Sequence, residues 1–134
     1  MKNRNPILYG LTFVCMGGCT HSPESAMPAT ICIADTARNI SFSKDVIPIF
    51  HDNCLGAGCH AGTAPAGHLS LDTAVAYQQL YQPGKGYIDT ATPKNSLLYS
   101  QLLSSADPMP PGGELSKCDI EIIYKWMEQG AMNN

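Results

Sequence analysis

The segment Cys54-Leu55-Gly56-Ala57-Gly58-Cys59-His60 packs two thiols and an imidazole into seven residues. Whatever occupies those three side chains must also organise the fold around them. The chain has 134 residues, 44% hydrophobic and 14% charged, which suits one globular domain. A domain this small often needs a staple or a bound group to complete its core. The compartment comes first, because it decides whether thiols stay reduced, pair, or are otherwise occupied.

The N-terminus answers that question. Lys2 and Arg4 precede a short apolar run, Ile7 to Met16, which ends in small residues before Cys19. A charged start, an apolar stretch too short to span a bilayer and a small-residue cleavage site describe an export signal over residues 1–18. The run Met16-Gly17-Gly18-Cys19 resembles a bacterial lipobox, which makes Cys19 the lipidated first residue of the mature protein. Residues 19–39 then serve as attachment site and flexible tether, being small, polar and without sustained periodicity. The expected location is the cell envelope of a Gram-negative bacterium, as a periplasmic or outer-membrane lipoprotein held to the membrane by its acyl chains.

Of six cysteines, Cys15 leaves with the signal and Cys19 carries lipid. Cys32 and Cys118 remain beside the motif pair and are candidates for one disulfide between tether and last helix. Two free thiols are the alternative. A bridge closing so long a loop would stabilise by about 4 kcal/mol on the chain-entropy account. The net charge is −3 with eight basic and eleven acidic residues. Loss of Lys2 and Arg4 with the signal takes it to −5, and no basic stripe remains for nucleic acid.

Three chemistries suit the motif outside the cytoplasm. A zinc site needs four converging ligands, and the adjacent Cys59 and His60 point in different directions. A local disulfide between Cys54 and Cys59 leaves His60 without a role. Covalent haem attachment uses all three: the thiols add across the two vinyl groups and His60 becomes an axial ligand of the iron. The common spacing is Cys-x2-Cys-His. The longer loop here contains Gly56 and Gly58, whose backbone freedom lets it bulge.

From Ile40 onward the pattern is helical. Val46, Ile47, Phe50 and Cys54 share helix-compatible spacings, with Pro48 expected in the first turn. Asp72 is placed to cap a short helix ending near Tyr81, broken by Gly84-Lys85-Gly86. Thr92-Pro93 is a cap-plus-first-turn signal opening PKNSLLYSQLL, with Leu98 and Leu102 on one face. Ser116 and Asp119 approximate a capping box before Ile120, Ile123 and Met127, and Gly130 ends that helix. The expected fold is all-α, about four short helices and long loops around one haem. Residues 104–115 form a long irregular stretch of the kind that marks function in a compact domain.

The sixth ligand of the iron has five candidates. Met127 lies on the apolar stripe of the last helix, Met132 near the end of the chain, His51 on the helix approaching the attachment, and His68 close behind the motif. Met109 stands between Pro108 and Pro110-Pro111, which restrict the loop without needing regular hydrogen bonding. It is the expected distal ligand, by the Met/His ligation known for haem. The carbonyl of Pro65 or a neighbour is expected to orient His60, and Tyr77, Tyr87 or Trp126 to donate to the propionates.

Taken in order, ISFSKDVIPIF, CLGAGCH, LSLDT, YIDTATPKNSLLYSQL, MPPGG and LSKCDIEIIYKWMEQGAMNN resemble the small monohaem c-type cytochrome domains of secreted bacterial lipoproteins. The resemblance covers residues 40–134. It implies a cytochrome c-like fold, one covalent haem c on Cys54 and Cys59, His60 as proximal and Met109 as distal ligand. It also implies a membrane-tethered carrier of single electrons between redox proteins, and no enzyme. The acidic balance points to partners with positive patches and salt-sensitive transfer. Two other readings stay open: a haem peroxidase or gas sensor with a labile Met109, and a haem-free, disulfide-stapled surface interaction module.

Overall fold

The computed structural model describes residues 38–134. The expected signal, the lipidation site Cys19 and Cys32 lie outside the described residues. Those described form four α-helices, α1 (Ile47–Cys54), α2 (Ala76–Leu80), α3 (Leu97–Leu102) and α4 (Lys117–Glu128), and no strand. The all-α expectation therefore holds.

The chain enters through a wide helical turn, Phe42–Val46, that runs directly into α1. Ser41 caps it, accepting from the Lys44 N–H at 3.3 Å, while its own N–H donates to Asp45 at 2.7 Å. The Arg38 guanidinium grips the Asp45 carboxylate at 2.6 and 2.8 Å and holds its pKa below the ordinary carboxylate value. Pro48 lies in the first turn of α1, where the wide turn gives way to regular α-helix.

α4 is the best-specified helix. Ser116 Oγ accepts from the Asp119 N–H at 3.1 Å and donates to the Asp119 carboxylate at 2.8 Å. Ile123, Trp126 and Met127 are all fully buried. Gly130 ends the helix with φ of 92°, a left-handed conformation that suits glycine. Trp126 stacks on Phe42 at 5.0 Å, and Phe42 makes edge contacts with Tyr77 at 5.3 Å and Phe50 at 6.4 Å. This aromatic group joins the entering turn, α1, α2 and α4 into one core.

Two sequence expectations change. Asp72 does not cap α2 with its side chain: the carboxylate instead accepts from the Gly62 N–H at 3.0 Å and the Ser70 hydroxyl at 3.1 Å, bridging the loop behind the motif. The segment from Thr92 is not one helix. A short 3₁₀ turn, Pro93–Asn95, precedes an extended Ser96, and α3 starts afterwards. Thr92 contributes no side-chain cap; the fully buried Ser96 accepts from the Asp89 N–H at 2.8 Å and pins the break. Among the described residues no helix is long and apolar enough to cross a membrane.

Candidate functional site

α1 ends at Cys54, and the chain then folds back on itself. The Cys59 N–H donates to the Gly56 carbonyl at 2.9 Å and the His60 N–H to the Cys54 carbonyl at 3.0 Å. These two bonds close the four-residue spacer into a compact loop. Gly58 has φ of 77°, where a side chain would be strained; Gly56 does not need this freedom. Cys54 and Cys59 are both free thiols and half-buried. Burial, and secondarily the neighbouring Cys59, pushes the Cys54 thiol up to about 11.

His60 is oriented from behind. Its Nδ1 lies 3.1 Å from the Leu69 carbonyl oxygen, which can only accept, so Nδ1 carries the proton. In the neutral ring this tautomer puts the lone pair on Nε2. The Leu69 carbonyl, rather than that of Pro65, performs this task; Pro65 accepts from the His68 N–H at 3.0 Å.

Both cysteines and His60 line one cleft, and so does Met109. Met109 arrives on the loop between α3 and α4, tied back by its N–H to the Gln101 carbonyl at 3.3 Å. α3 contributes Leu97, Leu98, Gln101 and Leu102 to the walls, and Phe50, Leu69, Leu115 and Ile123 add apolar surface from the other elements. The atom-free space is about 1040 Å³, counting its open mouth. The cavity proper is about 240 Å³, the remainder being the open mouth and the gaps between wall atoms.

The other ligand candidates fall elsewhere. Met127 is fully buried in the core and Met132 is 60% exposed. His51 is exposed and bonded to Asp52 at 2.9 Å, and His68 is exposed outside the lining. Of the expected propionate donors, Tyr77 Oη donates to the Ala131 carbonyl and Trp126 Nε1 to the Met132 carbonyl, at 3.1 and 2.9 Å. Tyr87 lines the cleft. Cys118, at the start of α4, is disulfide-bonded. No group of three or more His, Cys, Asp or Glu side chains converges among the described residues, so a four-ligand site of the zinc kind has no donor set there.

The donor chemistry fits haem. Two thiols stand in a turn beside a histidine with one free nitrogen, a thioether reaches the same space, and the walls are hydrocarbon. Sequence reasoning missed the Leu69 carbonyl, because a backbone acceptor has no residue signature. Gln101 was equally silent, a helix residue whose part is played by its main chain. Comparison with family models, curated proteins and solved structures finds no match for the chain.

Proposed function

We propose that the protein is a monohaem c-type cytochrome that carries single electrons between redox proteins while tethered to a membrane. The supporting observation is that Cys54 at the end of α1, Cys59 and His60 in the loop after it, and Met109 in the loop between α3 and α4 line one apolar cleft with both thiols free. Bound haem supplies an iron that gains and loses one electron.

The chain's own residues do the rest. Cys54 and Cys59 tie the group covalently, so it is not lost outside the cytoplasm. The Leu69 carbonyl keeps the His60 proton on Nδ1 and frees Nε2 to ligate. Met109 offers a sulfur, and thioether ligation favours the reduced iron and raises the potential. If the His60 nitrogen and the Met109 sulfur both held the iron, no position would be left on it for a substrate. The apolar walls exclude water and disfavour the extra charge of the ferric state. The N-terminal sequence, with its lipobox-like Gly18-Cys19, supports the tether and the cell-envelope location.

The test is the protein purified from a host able to attach haem, run on a denaturing gel stained for haem and scanned reduced minus oxidised. The expected results are haem that survives denaturation and a c-type α band. Met109→Ala should abolish the weak red-edge band of the ferric spectrum and open the iron to carbon monoxide when reduced. Haem that washes off in denaturant sinks the attachment. Carbon monoxide binding by the unsubstituted protein would favour a sensor or peroxidase instead.

A further inference from the structure

The segment behind the motif doubles back on His60 and holds it from the side away from the cysteines. The His60 carbonyl accepts from the Leu71 N–H at 2.8 Å, and Nδ1 donates to the Leu69 carbonyl at 3.1 Å. Whatever fixes residues 69–71 therefore fixes the ring. The turn that delivers them is strained: Gly67 and His68 both have left-handed backbones, with φ of 60° and 58°, and His68 carries a side chain in that conformation. A strained turn keeps its shape only where the surrounding structure holds it.

Asp72 provides that hold. Its Oδ2 accepts from the Gly62 N–H at 3.0 Å and from the Ser70 hydroxyl at 3.1 Å, joining the strand of chain just after His60 to the residue just after Leu69. Ser70 and Leu71 are buried, so this junction lies inside the fold. Asp72 is anchored from the other side as well. Its carbonyl accepts from the Val75 and Ala76 N–H groups, both at 2.9 Å, where α2 begins, and Ala76 and Leu80 of α2 are fully buried in the core. Asp72 does not itself line the cleft, so any effect it has there passes through the residues it ties.

We propose that Asp72 is a positioning residue for the iron ligand: by tying Gly62 to Ser70 it keeps the Leu69 carbonyl on His60 Nδ1, and so holds the reduction potential down. The proposal rests on the carrier reading above and adds to it a determinant of the potential. A ring N–H engaged by a carbonyl makes the imidazole a more basic ligand, which favours ferric iron. The Met109 sulfur pulls the other way. Both Asp72 bonds fall on one oxygen, and the single oxygen of a carboxamide can accept both. Asparagine therefore separates the bonds from the charge.

The test compares the unsubstituted protein with Asp72→Ala and Asp72→Asn, each with haem attached. In the reduced, diamagnetic protein NMR reads the solvent exchange of the His60 Nδ1 proton, and redox titration reads the midpoint potential. Asp72→Ala should speed that exchange about fivefold or more, the scale of one lost hydrogen bond, and raise the ratio of reduced to oxidised protein several-fold at a fixed ambient potential. Asp72→Asn should return both readouts nearly to their original values. Ser70→Ala removes one of the two bonds to the carboxylate; it should move both readouts the same way by less, and it carries the test where Asp72→Ala does not fold. Ser41→Ala loosens the cap of the entering turn, outside the cleft lining, and should move neither. Exchange and potential unchanged in Asp72→Ala, or in Ser70→Ala where that variant stands in, overturn the proposal. Equal rises in potential for Asp72→Asn and Asp72→Ala with exchange unmoved overturn it too, because they assign the effect to charge alone. Both results leave the carrier reading intact. Haem that washes off in denaturant overturns that reading and this proposal with it, and the gel shows this before either readout is taken.

Discussion

Cys54 is the residue whose environment makes the sharpest solution prediction. Its thiol is pushed up to about 11 from an ordinary 9.0, first by burial and then by Cys59. The fold therefore prefers the neutral thiol. In haem-free protein that preference contributes stability which is fully present below about pH 9 and is lost as pH rises through about 11. Chemical denaturation of the haem-free protein across pH 8–11.5 should show this loss, and Cys54→Ser should flatten it. Alkylation of Cys54 by iodoacetamide should lag that of a model thiol at pH 8.5. At this scale the sequence was informative where chemistry is carried by residue type: two thiols, an imidazole and a proline-flanked thioether. It was uninformative where the main chain acts, as in the Leu69 carbonyl behind His60. Asp72 shows a third case, since an aspartate before a helix reads as a cap, yet its carboxylate has stronger claims from the Gly62 N–H and the Ser70 hydroxyl.

Helices here succeed or fail on single hydroxyls. Ser116 closes the first turn of α4 with reciprocal bonds to Asp119, and Ser116→Ala should cost about 1 kcal/mol. Ser96 acts in the opposite sense. Its backbone is extended, with ψ of 132°, and its hydroxyl accepts from the Asp89 N–H, offering the chain an alternative to continued helix. Ser96→Ala strands that N–H in a part-buried setting and should cost about 1–2 kcal/mol by urea denaturation. A loss below about 0.5 kcal/mol would show that the break at Ser96 is held by packing alone. The period-3.6 pattern revealed both helices, because burial of one face dictates it. It did not reveal the division of PKNSLLYSQLL, because the cause is a bond to Asp89, which lies before the pattern begins.

At the scale of the molecule, the entering segment and the last residues clasp each other around the aromatic core. The Ile40 N–H donates to the Gln129 side chain and the Phe42 N–H to the Asn134 side chain, both at 2.8 Å. The Asn134 carbonyl takes the Ser43 N–H at 2.9 Å, and Tyr77 and Tyr81 both donate to the Ala131 carbonyl, at 3.1 and 3.0 Å. Amphipathic patterning announced that these ends bury apolar faces. The polar clasp was not legible, since its partners lie far apart in the chain, with separations of 50 between Tyr81 and Ala131 and 92 between Phe42 and Asn134. Phe42 is where clasp and cleft meet, with Trp126 on one side and the cleft-lining Phe50 on the other. Phe42→Ala should cost about 3–5 kcal/mol, the cost of truncating a buried aromatic. Asn134→Ala removes the acceptor for the Phe42 N–H and the donor to the Ile40 carbonyl, and should cost about 1–2 kcal/mol. Because Asn134 holds the Phe42 backbone and Phe42 fills the space that backbone frames, the double variant should lose less than the sum by at least about 0.5 kcal/mol. Strict additivity in urea titrations of the three variants would mean that the clasp and the core hold the ends together independently.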